Sequence, residues 1–282
     1  MKTINEYCEF LLFSDRLEDK LKYPLDDLID IKGFYKKIPS LPARETKIQI
    51  SDQKSKIPRL EHLHLTINRG IALHHFANHE LMAMEIFAWA LLKFQNISDR
   101  SRQDLFSSLK EEQKHLRLYI ERMKELGIEF GDRPLNGIFW KYLPFMQTFE
   151  KFSAIMSLSF EGANLDYATI YQKTFSQFGD FKTAEIMEIV FLDELKHVKR
   201  GLKVIQQREN TTISEWEYYR SLLDAPFTPR RAKGYFYIPD TRRKVGFTED
   251  FILELAKYKD EFSNRKKEII PEELKTWGIY TD

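Results

Sequence analysis

Four long stretches of this chain carry apolar residues at helical spacing, and the segments flanking them are crowded with prolines and charges. The first stretch runs from Thr66 to Phe94 without a proline and holds Leu73, Phe76, Ala77, Met84, Phe87 and Leu91 in one register. Asn96 and Ser98 then open a turn. Asp99 or Ser101 is suited to cap a second helix over 101–126, which Gly127 ends. Residues 128–144 read as a loop with one short helix. A third helix is predicted over 145–178, through Phe152, Ile155 and Leu158, with Gly162 set to loosen or kink it. Gly179-Asp180 breaks the pattern, and a fourth helix follows over 181–208 with Ile186, Val190 and Val198.

The flanks are less regular. Residues 1–20 read as a short helix. Over 21–60, Pro24, Pro39, Pro42 and Pro58 sit among charges, and Ile48, Ile50 and Ser51 suggest a brief extended piece, so this stretch is read as an arm. Beyond 211 lie Pro226, Pro229, Pro239 and Pro271, with one clear helical stretch at Thr248–Tyr258. The expected fold is therefore all-α: an N-terminal helix and proline-bearing arm (1–61), a four-helix bundle (62–211) and a C-terminal extension wrapping it (212–282). The two-helix unit 66–126 is echoed by 145–208.

Composition narrows the class. A hydrophobic fraction of 43% beside 31% charged residues allows a substantial core in a soluble chain. The net charge of +1 gives no overall attraction to nucleic acid or anionic membrane. A single cysteine, Cys8, excludes an intramolecular disulfide and any Cys-rich zinc or iron–sulfur site. The first residues lack a basic-then-apolar signal, and no apolar run approaches the ~20 residues of a spanning helix. The expectation is a cytoplasmic protein that does not enter the membrane.

The repeat carries chemistry. Glu80 precedes Glu112-Gln-Lys-His115, and Glu161 precedes Glu194-Leu-Lys-His197, at separations of 32 and 33 residues from glutamate to glutamate. Residues three apart share a helix face, so each Glu-x-x-His can address one ion or two adjacent ions. All four glutamates fall within apolar stripes. Burying a carboxylate without a partner costs several kcal/mol. Two divalent ions would balance four carboxylates, and two neutral imidazoles complete the ligand set of a dinuclear centre in a helix bundle. Oxygen and nitrogen donors without thiolate suit iron or manganese. Each histidine needs an acceptor on its other ring nitrogen; Glu111, Asp166 and Asp193 are the nearby candidates. Tyr119, one turn after His115, is either a functional phenol or core packing, and His79 beside Glu80 is placed to line an approach.

Other features compete for attention. Glu61-His-Leu-His64 also fits Glu-x-x-His, a pattern expected about once by chance in such a chain. It has no upstream glutamate in an apolar stripe and reads as surface or capping chemistry. Five of the seven histidines, His62, His64, His74, His75 and His79, lie between 62 and 79. They read as core-edge and solvent-facing residues, a second metal site being the competing reading. Arg230-Arg231 and Arg242-Arg243-Lys244 read as solvated, or else as contacts for an anionic substrate or RNA.

The segments RGIALHHFANHELMAMEIFAWALLKF (69–94), EEQKHLRLYIERMKELGIEFGD (111–132), FEGANLDYATI (160–170) and FLDELKHVKRGLKVI (191–205) resemble the ferritin-like superfamily, and more closely the bacterial group catalogued as domain of unknown function 455. PSLPARE (39–45) and RRKVGFTEDFILELAKY (242–258) fit that group more weakly. Asn78 stands two residues before Glu80, where the group's pattern carries a histidine. The resemblance implies a ferritin-like four-helix bundle with a di-iron or iron/manganese centre on Glu80, Glu112, His115, Glu161, Glu194 and His197. The leading reading of such a centre is an oxidoreductase activating O2 or peroxide, an oxygenase or hydroxylase acting on a small molecule. The metal centre itself would be the catalytic group, with no separate acid or base. No flavin, nicotinamide or iron–sulfur motif is evident, so electrons would come from an external donor or from the substrate itself. Ferroxidase or metal-handling activity without an organic substrate, and a structural or partner-binding bundle, are the alternatives. The near-neutral charge disfavours a tRNA substrate, and a homodimer is compatible with the sequence.

Overall fold

In the computed structural model, residues 1–33, 38–53, 55–208 and 212–259 are described. Among them the regular elements are helical, with no strand beyond two isolated bridges, Thr3 to Ile29 and Ile50 to Leu135. The helices are α1 (Ile4–Phe13), α2 (Leu17–Lys20), α3 (Thr66–Lys93), α4 (Asp99–Glu125), α5 (Ile138–Lys141), α6 (Phe149–Phe152), α7 (Gly162–Gln177), α8 (Phe181–Gln206), α9 (Glu215–Ser221), α10 (Pro239–Val245) and α11 (Glu249–Lys257). A π-helical segment, Ser153–Glu161, joins α6 to α7. Pro271 of the expected tail lies outside the described residues. The chain divides into two compact units, Met1–Leu143 with Thr174–Ile186, and Pro144–Lys173 with Met187–Asp282. This division differs from the three consecutive segments read from the sequence, because the arm shares contacts with the first helix pair and the tail with the second.

In the first unit, α3 is the central element. Every residue from Glu80 to Leu92 is buried, and a helix buried all round needs neighbours on several sides; α1, α4 and α5 supply them. α1 starts at a capping box of Thr3 and Glu6 and buries Ile4, Tyr7, Cys8, Leu11 and Leu12. The cap of α4 is Ser98, whose Oγ accepts from the Ser101 N–H at 3.1 Å. Neither expected residue serves: Asp99 and Ser101 are already inside the first turn. Gly127 ends α4 with a left-handed φ of 78°, a conformation glycine adopts without strain. The short extended piece expected at 48–51 is reduced to a 3₁₀ turn, Thr46–Ile48, and the Ser51 N–H donating to the Leu135 carbonyl at 2.8 Å.

Two buried charge clusters tie the arm to the helices. Arg102 of α4 is fully buried and donates to Asp30, to Asn5 and to the Leu91 and Phe94 carbonyls. On α3, the Glu85 carboxylate takes Arg44 at 2.6 and 3.1 Å, Lys20 at 3.0 Å and the Trp140 indole N–H at 3.2 Å. At the beginning of α8, Asp180 accepts from Arg122 at 2.8 Å and Arg69 at 3.3 Å.

His74 is buried on α3, and its Nε2 accepts the Gly131 N–H at 3.0 Å. Burial, aided by Arg133, holds the ring neutral and lowers its pKa to about 4 from an ordinary 6.5. The sign follows. The unfolded chain takes up a proton near pH 6.5 while the folded one does not, so this contribution is whole above 6.5 and drains as pH falls toward 4. The loss between pH 7 and 4.5 is of order 2–3 kcal/mol. Urea unfolding should therefore find His74→Phe losing less stability than the wild type over that interval; equal losses would refute it.

The second unit assembles around one buried cluster. Trp216 and Tyr219 of α9, Tyr237, Val245, Phe247 and Phe251 pack with Leu158, Leu165, Val198 and Leu202. α9 and α10, both absent from the sequence expectation, carry part of this surface. α11 is capped by Thr248 and buries Phe251, Ile252 and Leu255. The irregularity predicted at Gly162 lies before it instead. Gly162 has ordinary helical angles, φ −56° and ψ −45°, whereas Ser153–Glu161 is π-helical. Serine hydroxyls supply local alternatives to the backbone ladder: Ser159 Oγ bonds the Ala154 carbonyl at 2.7 Å and faces the Tyr219 hydroxyl at 2.7 Å.

Candidate metal centre

Each unit gathers one half of the repeat. In the first, Glu80 sits midway along α3, and Glu112 and His115 occupy the buried stripe of α4 with Leu109, Leu116 and Tyr119. His115 Nδ1 lies 3.6 Å from Glu80 Oε2 and 3.7 Å from Glu112 Oε2. The second unit repeats the arrangement. Glu161 is the last residue of the π-helical segment, and Glu194 and His197 lie on α8; His197 Nδ1 is 3.6 Å from Glu161 Oε1 and 3.5 Å from Glu194 Oε2. All six side chains are buried.

Glu80, Glu112 and His115 each offer a ligand atom within 4.8 Å of the others, as do Glu161, Glu194 and His197. Both clusters could hold metal. Their donors are carboxylate oxygen and imidazole nitrogen, a set matched to divalent first-row ions. Electrostatics agree: burial first, and then the neighbouring Glu112 charge, push the Glu80 carboxyl well above the usual carboxylate range. Two adjacent carboxylates in such a place resist joint ionisation until a cation joins them.

The second cluster is braced by groups the sequence reading did not single out. Asn164 Nδ2 donates to Glu194 Oε1 at 2.8 Å. The available signal was its position three residues after Glu161, one turn along. Gly201, one turn beyond His197, has no Cβ where one would meet Ser157 Cβ at 2.3 Å, so α8 and the π-helical segment can approach closely.

Asp166 does not orient an imidazole. Its carboxylate is taken by the buried Arg242 guanidinium and by the Gly234 and Ile238 N–H groups at 2.9 and 3.0 Å, so it anchors the C-terminal segment. Burial pushes its carboxyl up, and Arg242 pulls it back. Arg242 is accordingly not a solvated residue, although Arg243 and Lys244 beside it are exposed. Asp193 is buried and pairs with Lys196 at 2.7 Å. Glu111 is half-buried on α4. Tyr119 is buried with its ring 5.9 Å from Phe76. His79 is half-buried, edge-on to His75 and tilted against Phe139. Glu61 and His64 are exposed on a 3₁₀ turn, where His64 Nδ1 meets the Glu61 carbonyl at 2.7 Å, as expected for surface chemistry.

Among the described residues no helix is long and apolar enough to cross a membrane. The family described as "Protein of unknown function (DUF455)" matches residues 13–253. No curated protein and no solved structure matches the chain.

Proposed function

The chain belongs to the DUF455 family, and from its two buried clusters we propose a ferritin-like four-helix bundle with a dinuclear metal centre and oxidoreductase activity. One observation carries this reading: a glutamate followed by Glu-x-x-His occurs twice, and each time the imidazole Nδ1 lies 3.5–3.7 Å from two buried carboxylates. Glu80, Glu112, His115, Glu161, Glu194 and His197 would be the ligands, and iron, or iron with manganese, the metals. Such a pair, when bound, supplies O2 or peroxide activation.

The residues themselves supply the rest. Four carboxylates match the charge of two divalent ions, so loading offsets both the burial and the Glu112 repulsion that raise the Glu80 pKa. Asn164 holds one oxygen of Glu194 and fixes the plane of that carboxylate. Tyr119, Leu109 and Leu116 keep the first cluster dry. A dry site favours small apolar or amphipathic substrates, and its electrons would come from a separate donor protein or from the substrate.

The test is anaerobic Fe(II) addition to the metal-free protein, followed by O2. Uptake of about two ions per chain, then O2 consumption with an absorbance change, is expected. A chain that takes up no Fe(II), Mn(II) or Co(II) would leave the structural-bundle alternative standing. Uptake with ferric product and no turnover of any organic substrate would favour ferroxidase chemistry.

A further inference from the structure

Outside the two carboxylate clusters, α3 carries a histidine pair that neither the core nor the proposed centre uses. His75 and His79 are four residues apart, so their side chains leave the helix about 40° apart, on one face. Glu80 follows His79 by one residue and projects about 100° away. Both histidines are half-buried in a helix that is otherwise buried on either side of them. Their ring centroids are 4.5 Å apart with an interplanar angle of 60°. Other aromatic rings near the pair are Phe76, 6.4 Å from His75, and Phe139, 5.4 Å from His79. Neither ring has a hydrogen bond to another described residue, unlike His74, which accepts from Gly131.

We propose that His75 and His79 form a two-histidine site for a divalent transition-metal ion, separate from the carboxylate clusters. Two imidazoles bound to one ion at about 2.1 Å, at bond angles of about 90–109°, place their centroids roughly 4.6–5.3 Å apart, close to the 4.5 Å of this pair. Two neutral nitrogens select borderline ions such as Zn(II), Fe(II) or Ni(II) over Mg(II) and Ca(II). Partial exposure leaves the other coordination positions to water. Such a site binds weakly and exchanges fast, which suits an ion held one helical turn from Glu80 on the same helix. Edge-on aromatic packing would produce a similar distance, but packing has no response to metal.

The experiment uses the full chain, treated with diethylpyrocarbonate and read by peptide mass spectrometry at each histidine. Saturating Zn(II) should slow modification of His75 and His79 about ten-fold or more, while Mg(II) should not. In His75→Gln, protection of His79 should vanish, and in His79→Gln that of His75, because a lone imidazole holds the ion far more weakly. Protection of His79 that persists in His75→Gln would assign the shielding to metal in the neighbouring carboxylate cluster and overturn the proposal. So would identical modification with and without Zn(II), or rings that fail to react even without metal. The wild-type arm stands whether or not either variant folds.

Discussion

Glu112→Ala and His197→Ala should each release both metal ions, although the two substitutions lie in different compact units. This follows from the dinuclear centre proposed above. If the clusters were independent mononuclear sites, each variant would keep the ion bound by the other cluster, and elemental analysis would find half the wild-type content. The apo proteins should behave in the opposite sense. Removing the Glu112 carboxylate relieves its repulsion with Glu80, so the metal-free variant should be as stable as the metal-free wild type, or up to about 1–2 kcal/mol more stable. What it loses is the response to ligand: metal at a hundred times its dissociation constant stabilises a binding-competent fold by about 2.7 kcal/mol. Thermal melts with and without Mn(II) read both effects at once. A Glu112→Ala protein that melts lower in the apo state and still gains stability from Mn(II) would contradict the assignment of Glu112 as ligand.

How far the chain could be read without coordinates is best judged on α3, where Glu80 and Glu85 are both buried carboxylates in an apolar run. Only Glu80 could be singled out, because its distance to Glu112 is repeated by Glu161 and Glu194. The fate of Glu85 depends on Lys20, at the end of α2, and on Arg44, from an arm whose path no local periodicity describes. Helix limits were legible where apolar spacing was regular: α3, α4 and α8 begin and end within two residues of the expected positions. The π-helical turn was not, since the serines that support it are as common in α-helices and loops. Arg242 was hidden by its neighbours. In Arg242-Arg243-Lys244 three basic residues look equivalent, and only the rotation of α10 turns the first inward to Asp166. Asn164 shows the same limit, its role being defined by the carboxylate it meets across the unit rather than by the helix it sits on.

The Glu85 cluster should also show a marked asymmetry between its members. It contains one carboxylate and two cations, all with side chains at 0–2% exposure. Glu85→Ala leaves Lys20 and Arg44 buried without a counter-ion, a change that costs about 3–5 kcal/mol when one partner of a buried pair is removed. Lys20→Met is different. The bidentate Arg44–Glu85 pair survives as a neutral unit, and the aliphatic replacement fills the volume of the lysine stem. Burial already lowers the Lys20 pKa, a sign that its charge is costly there even beside Glu85. The loss is then the Nζ contact with Glu85 at 3.0 Å and the hydrogen bond to the Leu11 carbonyl at 2.7 Å, the latter about 1 kcal/mol, offset by the desolvation no longer required. Denaturant unfolding of the two single variants checks this: Glu85→Ala should be the less stable by at least about 2 kcal/mol. Equal losses would mean that Lys20, and not Arg44, neutralises Glu85, and that the arm is held to α3 by the lysine.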